Sequence, residues 1–221
     1  VYKRQVVKDE HLTEMQLGQL MKEVLSRKPE YVYQIEKERA GSYQIEVLAK
    51  SKEHEVPITL RFQELRDEQM QPAHGELPFF LQENTVIQFL QYPYEQVVAE
   101  NFVEILEKME LINDLSCYEE IYGILKKEAL DGRKVEQQII EIGTKRELFF
   151  GKDRLDTVLH YKDYTYMKRK WTAYLKRERK KEPDWVEVMT LLEAFFPPVW
   201  RAIIRDEIFI GDWMPELCRF L

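Results

Sequence analysis

Cysteine and histidine are both scarce, with two of one and four of the other among 221 residues. Cys117 and Cys218 lie far apart, without a CxxC partner or a neighbouring histidine, which argues against a zinc ribbon and a disulfide framework. His11, His54, His74 and His160 are scattered, and each is expected at the surface rather than as a metal ligand. There is also no apolar run near the roughly 20 residues that span a bilayer, so no membrane partner and a cytoplasmic location are expected. Repeats and low-complexity linkers are missing too, which excludes solenoids and flexible arrays. What remains is 44% hydrophobic and 33% charged, the balance of a chain that buries a core.

The net charge of −7 conceals an asymmetry. Residues 168–181, KRKWTAYLKRERKK, hold eight basic side chains against one acid, Glu178, on an otherwise acidic chain. Lys168, Arg169, Lys170, Lys176, Arg177, Arg179, Lys180 and Lys181 surround a helix on which Met167, Trp171, Tyr174 and Leu175 keep the three-four spacing of a packed face. Clustered cations of this kind suit a phosphate backbone, so RNA contact is expected here beside the alternative of a solvated charged face. DNA binding is not expected.

Along the chain, VYKRQ at residues 1–5 resembles a translated adapter scar and is set aside from the fold. On that reading the chain is a fragment lacking its true N-terminal part. A helix is expected from Thr13 to about Ser26. The pattern then alternates, with Tyr43, Ile45 and Val47 facing Ile58, Leu60 and Phe62 across a charged connection, which spells a β-hairpin. Residues 63–78, with Pro72 and Gly75, read as loop, and PFFLQENTVIQFLQYP as one or two further strands turning at Asn84. Helices are expected over residues 94–110, 115–129, 133–148, 162–180 and 184–206. The fold class is therefore α+β, an α/β part over residues 6–93 and an all-helical unit over 94–221.

One motif inside the hairpin invites a chemical reading. GSYQIEVLAKSKEHE places Gly41-Ser42 about ten residues before the acids Glu53 and Glu55, a spacing that nucleotidyltransferases use for triphosphate and Mg²⁺. In such a site the Gly-Ser opens a helix and the acids sit within a strand. Here Gly41-Ser42 opens a strand and the acids fall in a turn, so a hairpin with a solvated tip is expected.

Residues 92–125, YPYEQVVAENFVEILEKMELINDLSCYEEIYGIL, show an order of features that resembles the AbiEii/AbiGii-type nucleotidyltransferase toxins of bacterial abortive-infection and type IV toxin–antitoxin systems. Those proteins carry a Tyr-Pro-x-Glu segment, an Ala-Glu-Lys helix and an Arg-Asp-x-Tyr-Asp-x-Tyr helix. Residues 167–200, which end in PPVW, look like the family's closing helices. The resemblance implies a partial nucleotidyltransferase-like sheet, Mg²⁺ and an NTP as cofactors, an RNA or tRNA acceptor, and a cognate antitoxin. It implies catalytic positions at Asp114, Glu120 and Asn101. It also implies departures: Asn101 replaces the phosphate-facing lysine, the arginine is lost, and PITLRF offers Thr59 and Arg61 where an acid belongs. One register puts the family's Asp at Asp114, and the other puts Cys117 and Glu120 at its two acids.

Three readings stay open on the sequence. One is a nucleotidyltransferase fragment whose metal motif lies upstream. Another is a binding or regulatory module of the same fold without the chemistry, and the last is a helical RNA-binding protein. Read from local chemistry alone, Asp114 is a helix cap, Glu119 and Glu120 are first-turn acids, Asn101 is a polar residue on an exposed face, and Cys117 is a small buried one. The C-terminal RDEIFIGDWMPELCRFL either docks a partner such as an antitoxin or packs back on the helices.

Overall fold

The computed structural model describes residues 31–39, 42–50, 55–63, 72–78 and 86–221, and the side chains at 72–76, 86, 88 and 90–221. The chain divides between Leu90 and Gln91 into two compact units. Residues 1–5, the expected first helix, Gly41, Glu53 and the Asn84 turn lie outside the described residues.

In the first unit, β1 (Tyr31–Arg39), β2 (Ser42–Lys50) and β3 (Glu55–Gln63) form an antiparallel meander in that order. The expected hairpin is its β2–β3 half. The register sets Tyr43, Ile45 and Val47 opposite Phe62, Leu60 and Ile58, so the alternating apolar set falls on one face. β1 is an addition to the expected pattern: Tyr33 and Ile35 pair with Val47 and Ile45 before a register shift between Lys37 and Arg39. Glu55 pairs with Lys50 as the first residue of β3, which corrects its expected place in the turn. A second correction concerns residues 63–78, because Ala73–Pro78 is a strand, β4, paired with β5 (Val86–Gln91). Gly75 and Pro78 disfavour a strand on propensity, and pairing with β5 outweighs them.

The second unit holds six α-helices. They are α1 (Tyr94–Lys108), α2 (Ser116–Leu125), α3 (Gly132–Lys145), α4 (Lys152–His160), α5 (Thr165–Arg177) and α6 (Trp185–Arg205). A 3₁₀ turn, Met109–Leu111, follows α1. α4 was not expected as a separate element; it turns only Leu155 and Val158 fully inward, too short an apolar signature to stand out. Two starts are capped as their chemistry requires. Asp131 Oδ1 accepts from the Arg133 and Lys134 amides at 3.0 and 3.3 Å, and Asp184 Oδ1 from Glu187 at 2.8 Å. α6 runs through Pro197 and Pro198, which cannot donate to the carbonyls of Glu193 and Ala194. Both of those residues are exposed, so the freed carbonyls lie on the solvent side of the helix.

The core forms where α1 packs on α2 and α3, and where α6 lies against α2, α3 and α4. Phe102 and Phe196 stack with ring centroids 3.7 Å apart, and Trp200 meets Phe102 edge-on at 5.8 Å. The C-terminal tail packs back. Its β7 (Asp212–Met214) pairs with β6 (Leu130–Asp131) and with β8 (Arg219–Phe220). Trp213 is fully buried, and its Nε1 donates to the Leu125 carbonyl at 2.8 Å. Gly132 is buried at this junction, where a Cβ would stand 2.6 Å from the Gly211 carbonyl oxygen, so the close approach requires glycine. Both cysteines are free thiols, Cys117 buried and Cys218 partly so. Among the described residues no helix is long and apolar enough to cross a membrane.

Candidate nucleic-acid interface

α1 and α2 bring together two of the three residues that the sequence offers for catalysis. Asn101 is 5% exposed, and its amide Nδ2 donates to Glu120 Oε2 at 2.7 Å. Its burial corrects the expected exposed face. Asp114 stays at the surface, where Oδ1 accepts from the Ser116 amide at 3.0 Å and fixes the entry to α2. The N-cap of α2 is Leu115, without a side-chain cap, so Asp114 is not the expected cap and bonds the Ser116 amide from outside the helix. Cys117 is buried, and His74 and His160 are exposed.

Asn101 brings a neutral amide, and the neighbouring Glu119 accepts from the Tyr174 hydroxyl at 2.5 Å and from Lys180 Nζ at 2.6 Å. Among the described residues no group of three His, Cys, Asp or Glu is arranged to hold a metal ion. The Asn101–Glu120 pair is a tie between helices. Replacing Asn101 by the similarly sized leucine is expected to cost about 2 kcal/mol, since it takes a hydrogen bond from a carboxylate. Guanidinium unfolding would measure this loss.

Two further tyrosines close the helices on each other in the same manner as Tyr174. Tyr161 donates to Glu110 Oε2 at 2.8 Å, and Tyr122 to Glu187. Burial pushes the pKa of each of these phenols above the ordinary range, and the carboxylate that accepts the hydrogen bond pushes it further. Tyr118 is raised by burial as well. The Tyr161 hydrogen bond in turn holds the Glu110 carboxyl below its usual value.

The basic strip occupies α5 and the turn after it, and the fold divides its charges. Met167, Trp171, Tyr174 and Leu175 are buried, as their spacing predicts. Trp171 Nε1 donates to the Pro183 carbonyl at 2.8 Å. Lys170 reaches back to the carbonyls of Glu110, at 3.1 Å, and Ile112, so its charge ties the 3₁₀ turn to α5. Lys180 is taken by Glu119. Lys168 lies 3.6 Å from Asp163, and Arg177 pairs with Glu178 at 3.1 Å while crossing the Tyr174 ring. Arg169, Lys176, Arg179 and Lys181 are exposed.

A shallow groove open to solvent runs along α5, lined by Thr165, Lys168, Arg169, Thr172, Ala173 and Lys176. These positions recur at three- and four-residue steps, so they share the helix face opposite the buried stripe. No carboxylate lines this groove, although Asp163 stands at its N-terminal end beside Lys168.

Next to the groove lie two residues that were not singled out from the sequence. Tyr164 and Tyr166 are 47% and 48% exposed, with ring centroids 5.8 Å apart. The signal was available in YKDYTYMKRK, where aromatics alternate with polar residues just before the cations.

No family model, curated protein or solved structure matches the chain.

Proposed function

We propose that the helical unit binds RNA through the outward face of α5 and does so without catalysing a reaction on its own residues. The observation that carries this reading is the groove between Lys168, Arg169 and Lys176, a cationic face with no acid in its lining on a chain of net charge −7. Phosphate contact requires clustered cations, and they are present there. Burial of Asn101 against Glu120 supports the non-catalytic side of the proposal, because a residue committed to a helix-helix tie is not free to meet a nucleotide. The test is binding of total RNA to the 221-residue chain across a salt series. A logarithmic affinity that falls linearly with the logarithm of salt is expected. Absence of binding at low salt would remove the reading.

A second reading keeps the resemblance over residues 92–125. In it the chain belongs to a nucleotidyltransferase-like toxin, the β-strands are part of its sheet, and the helical unit presents the acceptor RNA. The contact between Asn101 and Glu120 favours it to this extent, that the two positions taken from separate motifs of the family are neighbours here. Incubation with labelled NTPs, Mg²⁺ and total tRNA distinguishes the two, with label on RNA supporting the transferase and its absence supporting a binding module.

A further inference from the structure

We infer that the α5 surface selects unpaired RNA over duplex, with Tyr164 and Tyr166 as the platform on which bases stack. The inference rests on the RNA-binding reading and adds the class of RNA. Tyr164 flanks the start of α5 and Tyr166 lies in its first turn, each with about half its surface exposed. Neither ring is loose. Tyr164 packs at 6.0 Å from Tyr161, which is itself buried and anchored to Glu110. Lys170 Nζ lies 5.3 Å from the centre of the Tyr166 ring, and the carbonyls of Glu110 and Ile112 hold that ammonium in place. The lysine that is withdrawn from the outer surface therefore sets the attitude of an exposed aromatic ring.

Tyr166, Arg169, Ala173 and Lys176 follow at steps of three, four and three residues, one stripe about 15 Å long on the outside of the helix. The stripe starts with an aromatic ring, continues with two cations and has a methyl side chain between them. A strand laid along it would place phosphates at Arg169 and Lys176 and bring a base to Tyr166 or Tyr164. In a duplex the bases are stacked on each other and offer no face to a protruding ring, whereas an unpaired base does. The two rings are tilted 47° to each other, so they do not saturate one another by flat stacking. Cations alone would serve duplex and single strand by charge; the paired tyrosines supply the difference.

The experiment compares a single-stranded oligonucleotide RNA, the duplex of the same length and a polyglutamate of comparable charge, using fluorescence anisotropy on the full chain. The single strand is expected to bind about tenfold more tightly than the duplex, within the range of one or two stacked bases. Tyr164→Leu with Tyr166→Leu keeps apolar bulk and is expected to abolish that preference while leaving duplex affinity unchanged; a thermal melt of the variant checks that it is folded. Equal affinity of the unmodified protein for the two RNAs, or an equal loss for both in the double variant, overturns the stacking platform and leaves phosphate binding standing. Polyglutamate offers charge without bases, so competition by polyglutamate as strong as by the single strand also overturns it. If neither RNA binds, it is the underlying RNA-binding reading that fails.

Discussion

Reversing Arg169 and Lys176 together to glutamate is expected to weaken RNA binding by about a hundredfold at low salt, and to flatten its salt dependence. Both residues line the α5 groove and are exposed. Each phosphate contact to a single strand contributes about 0.7 to the slope of log affinity against log salt, so losing two lowers the slope by about 1.4. Surface substitutions away from packing leave stability within about 0.5 kcal/mol, so the melt should barely move. Reversal alone also makes an acidic protein more acidic, and a second double variant separates that effect. Lys152→Glu with Arg201→Glu changes the net charge equally at exposed positions on α4 and α6. If this control loses as much affinity as the groove variant, net charge and not the α5 face governs binding. If only the groove variant loses, the face is the interface.

The cations that matter for this test could be separated from the rest only in three dimensions. Sequence spacing identified the buried stripe of α5, since Met167, Trp171, Tyr174 and Leu175 are all buried. Helical periodicity is a local property, and these residues carry it densely. Lys170 is different, because its partners are carbonyls at Glu110 and Ile112, about sixty residues earlier in the chain. Nothing in KRKWTAYLKRERKK distinguishes it from Arg169. Asn101 likewise meets Glu120 across two helices, so its burial depends on the approach of α2 and not on its own neighbours. The short strands β6, β7 and β8 have two or three residues each, too few for alternation to register; Leu130 pairs with Trp213 through tertiary contact. β1 and β4 were hidden by a charged end and by Gly75 and Pro78, features that sheet pairing tolerates at a cost in propensity.

The tyrosines that close the helical unit predict how it unfolds. Burial raises the phenols of Tyr122, Tyr161 and Tyr174, with Glu187, Glu110 and Glu119 adding to the effect, and it raises Tyr118 as well. In the unfolded chain a tyrosine ionises near pH 10. Above that pH the unfolded state releases protons that the folded state still holds, so stability falls as pH rises. The contribution is intact below about pH 10 and is lost on the way to the folded-state values. Each tyrosine adds at most about 1.4 kcal/mol per pH unit to the slope. Guanidinium midpoints should be level from pH 8 to about 9.5 and drop steeply beyond pH 10, with tyrosinate absorbance appearing together with unfolding. Tyr174→Phe should lower stability at pH 8, because Glu119 loses a donor worth about 1.5–3 kcal/mol. The same variant should show a shallower alkaline slope, since one of the raised phenols is gone. A smooth titration near pH 10 in the folded protein, with no fall in the midpoint, would mean that these hydroxyls are open to water and do not lock the helices together.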